Sequence, residues 1–164
     1  RKKREGNGTG GKAAARSRSL VLTAGDAEGG RRLTLRPTDA AQVIQSQTIR
    51  FPSALGAGAV DAVEPRIEAE WVEEAAEEAD AQKSGSGDLR IPVAITTEFV
   101  SGGETFSDTG IYDVGYRLDT GLLDTDVRLS GLSRIERAQA PSAQARLDAI
   151  WKSRQPTISS GEKK

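Results

Sequence analysis

One stretch of alternating residues constrains the fold of this chain more than any other. Its apolar or small side chains occupy every second position, so they share one side of an extended chain. They are Ile91, Val93, Ile95, Thr97 and Phe99. A strand of this kind buries that side, and its backbone N–H and C=O groups need partners on neighbouring strands. The stretch therefore predicts a β-sheet with one face against a core.

The next part of the chain repeats this alternation. Two further strands are expected on either side of a turn at 119–121, and a last short strand is expected to include Leu132 and Ile135. We therefore predict an antiparallel meander over residues 89–136, with one buried face. The expected core aromatics of this meander are Phe99, Tyr112 and Tyr116.

The first third of the chain predicts additional strands. Apolar residues at 20–22 and 33–35 flank a glycine-rich segment at 25–30, which indicates a β-hairpin with a long loop. Residues 48–51 alternate like a strand, and this strand is expected to stop before Pro52.

Asp39 and Gln42 predict a short helix between these strands. An acidic residue followed three positions later by Gln resembles a capping box, in which two side chains bond the first backbone N–H groups of a helix. We expect this helix to run through Val43 and Ile44.

An acidic helix is predicted over residues 64–82. Its apolar residues recur at four-residue spacing, and its Ala/Glu-rich part has high helix propensity. The alternative is a strand at 66–72 followed by an acidic loop, because apolar residues there also recur at every second position. The acidic side chains are expected to form a solvent-facing side. They are Glu68, Glu70, Glu73, Glu74, Glu77, Glu78 and Asp80.

Residues 142–153 predict a C-terminal helix. Ser142 can cap it, and Leu147, Ile150 and Trp151 lie on one of its sides. We favour packing of this side on the sheet of the same domain. The alternative is that Trp151 anchors a partner protein.

These elements together predict an α+β, mainly β fold, in which an antiparallel β-meander is accompanied by one acidic helix and a C-terminal helix. Strands and helices do not alternate along the chain, which disfavours a doubly wound parallel sheet. We expect a single β-rich domain over residues 20–154, a disordered basic arm or linker over 1–19, and a frayed tail over 155–164.

The charges of the chain are segregated. It carries 23 Lys and Arg against 24 Asp and Glu, but residues 1–18 hold seven of the bases and only one acid. A basic arm favours anionic partners, such as the phosphates of a nucleic acid or an anionic membrane surface. The candidate partner-binding residues are Arg1, Lys2, Lys3, Arg4, Lys12, Arg16, Arg18 and Trp151.

The absence of histidine and cysteine restricts the chemistry that the chain can perform. The usual general base and the usual zinc ligands are missing, so only carboxylate or carbonyl sites for hard cations remain conceivable. Asp124 and Asp126 could hold such a cation weakly, but outward carboxylates are common on a solvent face. We predict no catalytic residue, no metal, no cofactor and no small-molecule substrate.

Two Asp-Thr-Gly triplets, at 108–110 and 119–121, are the one place where catalysis is suggested. Leu118 and the second triplet resemble the active-site turn of retropepsin-like aspartic proteases, in which the aspartate holds a water between two carboxylates. The resemblance implies a dimer that brings two copies of Asp119 together. Leu122 departs from the pattern of that family, which has a small Ala or Ser at this position.

We predict a non-enzymatic structural or interaction module of a larger assembly, bound to other protein subunits and tethered to a membrane through its N-terminus. The sequence begins with a basic cluster, Arg1 to Arg4, and such clusters flank transmembrane helices on their cytoplasmic side. The location is open from the sequence alone, and the cytoplasmic face of a membrane is favoured if this cluster flanks a transmembrane helix. One alternative is a coat or nucleoprotein component whose arm binds nucleic acid, and a remote one is a retropepsin-like aspartic protease.

Overall fold

The structure is a computed structural model, and it describes residues 19–82, 89–120 and 125–155. The predicted basic arm, except for Ser19, lies outside these residues. The predicted tail, except for Gln155, lies outside them as well.

The described residues form two antiparallel sheets and two α-helices. In chain order the elements are β1 (Leu22–Ala27), β2 (Arg32–Pro37), β3 (Val43–Arg50), β4 (Ala59–Ala62), β5 (Arg66–Glu68), α1 (Ala69–Gln82), β6 (Leu89–Ser101), β7 (Glu104–Thr120), β8 (Thr125–Ala138) and α2 (Ala143–Arg154). The α+β, mainly β fold class predicted from the sequence is confirmed.

The larger sheet has the strand order β4-β3-β6-β7-β8, and its last three strands are the predicted meander. The segment at Leu132 and Ile135 belongs to β8, so it is not a separate strand. The smaller sheet has the order β1-β2-β5. β1 and β2 form the predicted hairpin, but their pairing extends to Ala27 opposite Arg32, so the connecting turn is shorter than expected.

The main core lies between one face of the larger sheet, the smaller sheet and α1. The alternating side chains of β6 are buried there, with Ile91, Val93 and Phe99 fully inaccessible to solvent. Tyr112 and Tyr116 of β7 are buried in the same core, which confirms all three expected core aromatics.

A second, smaller core lies on the opposite face of the larger sheet. Leu147 and Ile150 of α2 pack with Ala94 of β6 and Ile111 of β7. The expectation of a single buried face was therefore incomplete, because α2 covers part of the other face. The predicted packing of the C-terminal helix on its own sheet is confirmed.

The predicted helix over 64–82 begins later than expected, at Ala69. Residues 66–68 form β5 instead, where Ile67 is fully buried and pairs with Leu33 of β2. The two-residue alternation decides the conformation of this short segment, because it places Ile67 in the main core. Helix propensity decides the conformation of the Ala/Glu-rich residues after it, so the alternative of an acidic loop is wrong.

The predicted helix from Asp39 through Ile44 is wrong. Asp39 Oδ1 accepts a hydrogen bond from the backbone N–H of Ala41 at 2.9 Å, and the Asp39 carbonyl accepts one from the N–H of Gln42 at 3.0 Å. These bonds close a turn without a helix, which is a common alternative use of an Asp side chain. Val43 and Ile44 then begin β3, where they pair with β6.

Gly30 lets the turn between β1 and β2 approach β8 closely. Its φ is +90°, and a Cβ atom at this position would lie 3.3 Å from the carbonyl oxygen of Leu129. We expect Gly30→Ala to lower the free energy of unfolding by about 1–2 kcal/mol, from backbone strain and crowding together. Chemical denaturation measures this difference.

Gly102→Ala is the matched control for Gly30→Ala. Gly102 also has a positive φ, of +60°, but nothing lies within 4 Å of an added Cβ. Gly102→Ala reports backbone strain alone, so it is expected to lower the free energy of unfolding by less than Gly30→Ala does. Equal losses in the two variants would contradict the close approach of the turn to β8.

Candidate functional site

Trp151 is the one predicted partner-binding residue that lies among the described residues. It is 5 % exposed and belongs to the main core, in agreement with the favoured packing of α2 on its own domain. A role of Trp151 in binding a partner stays a prediction. The other candidates lie outside the described residues; they are Arg1, Lys2, Lys3, Arg4, Lys12, Arg16 and Arg18.

The described chain begins at a set of polar contacts that fixes the base of the basic arm to the domain. The carbonyl oxygen of Ser19 accepts a hydrogen bond from Gln42 Nε2 at 2.9 Å. Ser19 Oγ accepts one from Arg137 Nη1 at 3.2 Å. Ser19 is therefore held by β8 and by the residue that precedes β3.

Two side chains of β7 hold the next residues. Leu20 is buried, and its backbone makes a hydrogen bond with the carboxylate of Asp108. The backbone N–H of Leu22 donates to the hydroxyl oxygen of Tyr112 at 3.1 Å. Residues 19–22 are therefore held on the domain by β7, by β8 and by Gln42. We call this set of residues the arm joint; it comprises Ser19, Leu20, Gln42, Asp108, Tyr112 and Arg137.

The alternation of β7 brings the side chains of the joint together. Asp108, Gly110 and Tyr112 point to the same side of the strand. A Cβ atom on Gly110 would lie 2.9 Å from Cε1 of Tyr112, so the absence of a side chain at 110 leaves room for the tyrosine ring. The first Asp-Thr-Gly triplet is therefore part of a strand, and its glycine admits the ring of Tyr112.

Burial controls the acidity of both β7 side chains in the joint. The side chain of Asp108 is only 3 % exposed, and this burial raises its pKa, although Arg137, the Leu20 hydrogen bond and Arg134 oppose the change. Burial likewise raises the pKa of Tyr112. The protonated form of Asp108 is therefore favoured by folding.

The raised pKa of Asp108 predicts how its contribution to stability depends on pH. The native chain holds this proton more tightly than the unfolded chain does, so the contribution is full below the ordinary pKa of 3.8 and is lost as the pH rises through the raised value. We expect the stability of the wild type relative to Asp108→Asn to fall as the pH rises through this window. Denaturant unfolding at a series of pH values measures it.

The Asp148→Asn variant is expected to show the opposite dependence of stability on pH. Burial acts to raise the pKa of Asp148, but hydrogen bonds from the Ser53 N–H, the Ser53 hydroxyl and Gln144 together hold it below its ordinary value. The stability of the wild type relative to Asp148→Asn should therefore rise with pH, up to the ordinary pKa. If the stability difference from the wild type changed with pH in the same direction for both variants, the raised pKa of Asp108 would be contradicted.

A groove opens beside the arm joint, between the start of β7 and the end of β8. Its volume is about 550 Å³, and it is lined by Ser107, Asp108, Thr109 and residues 137–141. Asp108 Oδ1 accepts no hydrogen bond from the described residues, and Arg137 Nη2 lies 3.5 Å from it. We call this cavity the β7 groove.

Two basic side chains of β8 lie near Asp108 of the arm joint. Arg134 and Arg137 are exposed on β8, and both act electrostatically on Asp108. Arg18 directly precedes Ser19 in the sequence, and Arg16 is two positions further away. The described surface beside Ser19 is therefore basic at Arg137, and the sequence that precedes Ser19 is basic as well.

The two Asp-Thr-Gly aspartates do not meet within one chain. They lie on the same strand, eleven residues apart, which corresponds to about 36 Å of extended chain. Asp119 is exposed and accepts a hydrogen bond from Arg128 Nε at 3.0 Å. It lies opposite Asp126, which is also exposed. Asp124 lies outside the described residues.

The acidic side chains near α1 lie partly in ion pairs. Glu73 binds Arg31 at 3.0 Å, and Glu68, which lies in β5 rather than in the helix, binds Arg32 and Arg66. The exposed members are Glu70, Glu74, Glu77 and Glu78. Three or more acidic side chains do not come together as a possible metal site anywhere in the described part of the chain.

Sequence reasoning missed the arm joint. One signal was present, because Asp108 lies on the same side of its strand as the core residue Tyr112, and an acidic residue on a buried face is unusual. The partners of Asp108 come from distant parts of the chain, so only the structure reveals them.

Neither described helix is long and apolar enough to cross a membrane. Comparison with family models, with curated proteins and with solved structures finds no match to this chain.

Proposed function

We propose that this protein is a non-enzymatic interaction module of a larger assembly, held at the anionic surface of a membrane by its basic arm. The observation that carries the proposal is the position of the arm joint. The joint holds the base of a segment with a net charge of +6 beside Arg134 and Arg137. The arm and the domain then present one basic surface to an anionic partner, and the remaining surfaces stay accessible to other subunits.

The charge distribution along β8 supports a defined orientation at that surface. Arg137 lies near the end of this strand, and Arg31, which pairs with the acidic residue Glu73, contacts the carbonyl oxygen of Val127 near its start. These positions are ten residues apart, or about 33 Å along the strand. The basic end therefore faces an anionic surface, and Glu73 lies away from it.

The energy available from the arm is sufficient for reversible binding. A Lys or Arg near an anionic leaflet contributes about 1 kcal/mol, and this contribution decays within a Debye length of about 10 Å at 0.1 M salt. Seven basic residues in the arm can therefore supply several kcal/mol. Binding should weaken steeply as the salt concentration rises.

Neutralising the arm tests the proposal. All seven basic residues of 1–18 are replaced by Gln in the full chain, and sedimentation with phosphatidylcholine vesicles is compared with and without phosphatidylserine. We expect the wild type to bind only the anionic vesicles, and the variant to bind them at least about 100-fold more weakly.

A control that removes three basic residues elsewhere and a second ligand complete this experiment. Gln at the exposed positions Arg90, Arg117 and Lys152 removes basic residues elsewhere and should leave vesicle binding within about twofold. Unchanged binding of the arm variant would contradict the proposal. If the wild type binds duplex DNA strongly through the arm and ignores anionic vesicles, the nucleoprotein alternative replaces it.

A further inference from the structure

The edges of the two sheets lie side by side along β1 and β8. β1 is an outer strand of the smaller sheet, β8 is an outer strand of the larger one, and the two strands are in contact. No backbone ladder joins them within the described residues. Instead, side chains of β8 bind the chain before and after β1, where Arg137 donates to Ser19 Oγ and Arg128 Nη1 donates to the carbonyl oxygen of Gly29 at 2.7 Å. The chain can therefore separate from β8 here without the loss of a ladder.

Residues 19–22 are held on the larger sheet by side chains, and we call these residues the strap. The backbone N–H groups of Leu20 and Leu22 donate to the carboxylate of Asp108 and to the hydroxyl oxygen of Tyr112. Both acceptors belong to β7. The strap therefore takes its position on the larger sheet from single hydrogen bonds, each of which one substitution can remove.

The strap also has weak backbone support from the smaller sheet. The carbonyl oxygen of Val21 accepts a hydrogen bond from the N–H of Thr38 at 2.9 Å. Leu22 lies opposite Pro37, which has no N–H to donate. The buried side chain of Leu20, which is 1 % exposed, favours the attached state. These contacts describe a segment that is closed in the native state but opens more easily than the centre of a sheet.

The attached strap keeps Asp108 away from water. The Asp108 side chain is 3 % exposed, and the backbone of Leu20 binds its carboxylate. Asp108 Oδ1 accepts no hydrogen bond from the described residues, and Arg137 Nη2 lies 3.5 Å from it. Burial without full hydrogen bonding disfavours the ionised carboxylate. Detachment of the strap hydrates this group, so detachment and ionisation favour each other.

Asp108 is the titrating group of this region. The charged and titratable groups that face it are Arg137 and Arg134 of β8 and Tyr112 of β7. Arginine keeps its charge in proteins, and burial raises the pKa of Tyr112 above its ordinary value of 10.0. Its buried neighbour on β6, Thr97, is uncharged. Asp108 is therefore the member of this set whose charge changes between acidic and neutral pH.

We propose that the strap is a pH-sensitive element: residues 19–22 detach from β7 and β8 while both sheets stay folded, and ionisation of Asp108 favours the detached state. Because burial raises the pKa of Asp108, the attached state binds this proton more tightly than the detached state does. Detachment is therefore rarest below the ordinary pKa of 3.8 and becomes more frequent as the pH rises through the raised value. It separates Ser19, to which the arm is joined, from Arg137. This proposal does not rest on the function proposed above.

Native-state hydrogen exchange of the full chain, followed by NMR over a series of pH values, tests the strap. The amides of Leu20 and Leu22 report detachment, and the amides in the middle of β6 report global unfolding, because β6 lies between β3 and β7. Rates are corrected for the intrinsic dependence of exchange on pH. We expect the strap to open at least about tenfold more often than β6. Its opening should increase at least about threefold from about pH 4 to about pH 7.

Three substitutions make the test specific. Asp108→Asn keeps an acceptor for the N–H of Leu20 but cannot ionise, so strap opening should no longer depend on pH. Tyr112→Phe keeps the ring but removes the acceptor of the Leu22 N–H, so the strap should open about fivefold more often and keep its pH dependence. Asp148→Asn is the control, because it removes an acid bound to other residues, and strap opening should stay unchanged. The β6 amides show in the same spectra that each variant is folded.

Two results would overturn the proposal. If the strap and β6 amides opened equally often, residues 19–22 would separate only by global unfolding. If strap opening did not change with pH in the wild type, or changed equally in Asp108→Asn, the acid would have no part in detachment.

Discussion

Replacing Leu147 with alanine is expected to lower the free energy of unfolding by about 3 kcal/mol, within the range of 2–5 kcal/mol for buried leucines. Leu147 is fully buried between α2 and the larger sheet, where it packs with Ala94 and Ile111. This second core is small, and few neighbouring side chains can move to fill the cavity. Denaturant unfolding followed by circular dichroism measures the loss.

Val63→Ala is the control for Leu147→Ala, because it truncates an apolar side chain that is 77 % exposed. Its effect should stay within about 0.5 kcal/mol. If Leu147→Ala had an equally small effect, the packing of α2 on the sheet would be contradicted.

Replacing Arg154 with methionine is expected to lower the free energy of unfolding by about 2–3 kcal/mol. Arg154 Nη1 and Nη2 bind the two carboxylate oxygens of Asp113 at 2.7 and 3.0 Å, and the Asp113 side chain is 6 % exposed. Methionine keeps the apolar stem of Arg154 but leaves a buried carboxylate whose next cation, Arg90, is 3.9 Å away. Because the Arg154 side chain is partly exposed, the loss of unfolding free energy stays below the loss expected when one partner of a fully buried ion pair is removed.

Lys152→Met is the matched control for Arg154→Met. Both residues lie in the last turn of α2, so both substitutions remove the same favourable interaction with the helix dipole. Lys152 is exposed, and we expect its loss to cost less than about 1 kcal/mol. Adding Asp113→Asn to Arg154→Met should recover part of the lost stability, because it removes the uncompensated charge. A double variant less stable than Arg154→Met would contradict this role of the ion pair.

The sequence predicted the strands of the meander because their signal is local and strong. Alternation from Ile91 to Phe99 specifies both the strand and its buried side. The same kind of reasoning failed at Asp39 and Gln42, because a capping box and an Asp-closed turn begin with the same residues. The strand after this turn forms because Val43 pairs with Val100, which is distant in the sequence.

For a related reason, local sequence patterns could not determine where α1 begins or which residues form the arm joint. The alternation at 66–72 showed the strand only as an alternative to the helix, because the backbone pairing with β2 that stabilises the three-residue β5 comes from distant residues such as Leu33. The joint depends on contacts between residues 90 and 118 positions apart, such as Leu22 with Tyr112 and Ser19 with Arg137. The net charge of the arm could be counted from the sequence. The position of Arg137 beside Ser19 could not, because it depends on the register of β8.

The most direct test of the anionic-surface function is the vesicle affinity of a chain whose arm is intact but whose domain lacks Arg134 and Arg137. The variant is Arg134→Gln with Arg137→Gln in the full chain, and partitioning onto phosphatidylserine vesicles is measured over a series of salt concentrations. If the arm joint makes one basic surface of arm and domain, affinity should fall at least about tenfold, and its salt dependence should become shallower. Affinity and salt dependence equal to those of the wild type would show that the domain does not face the membrane through this end, which would contradict the proposed orientation and the function that rests on it.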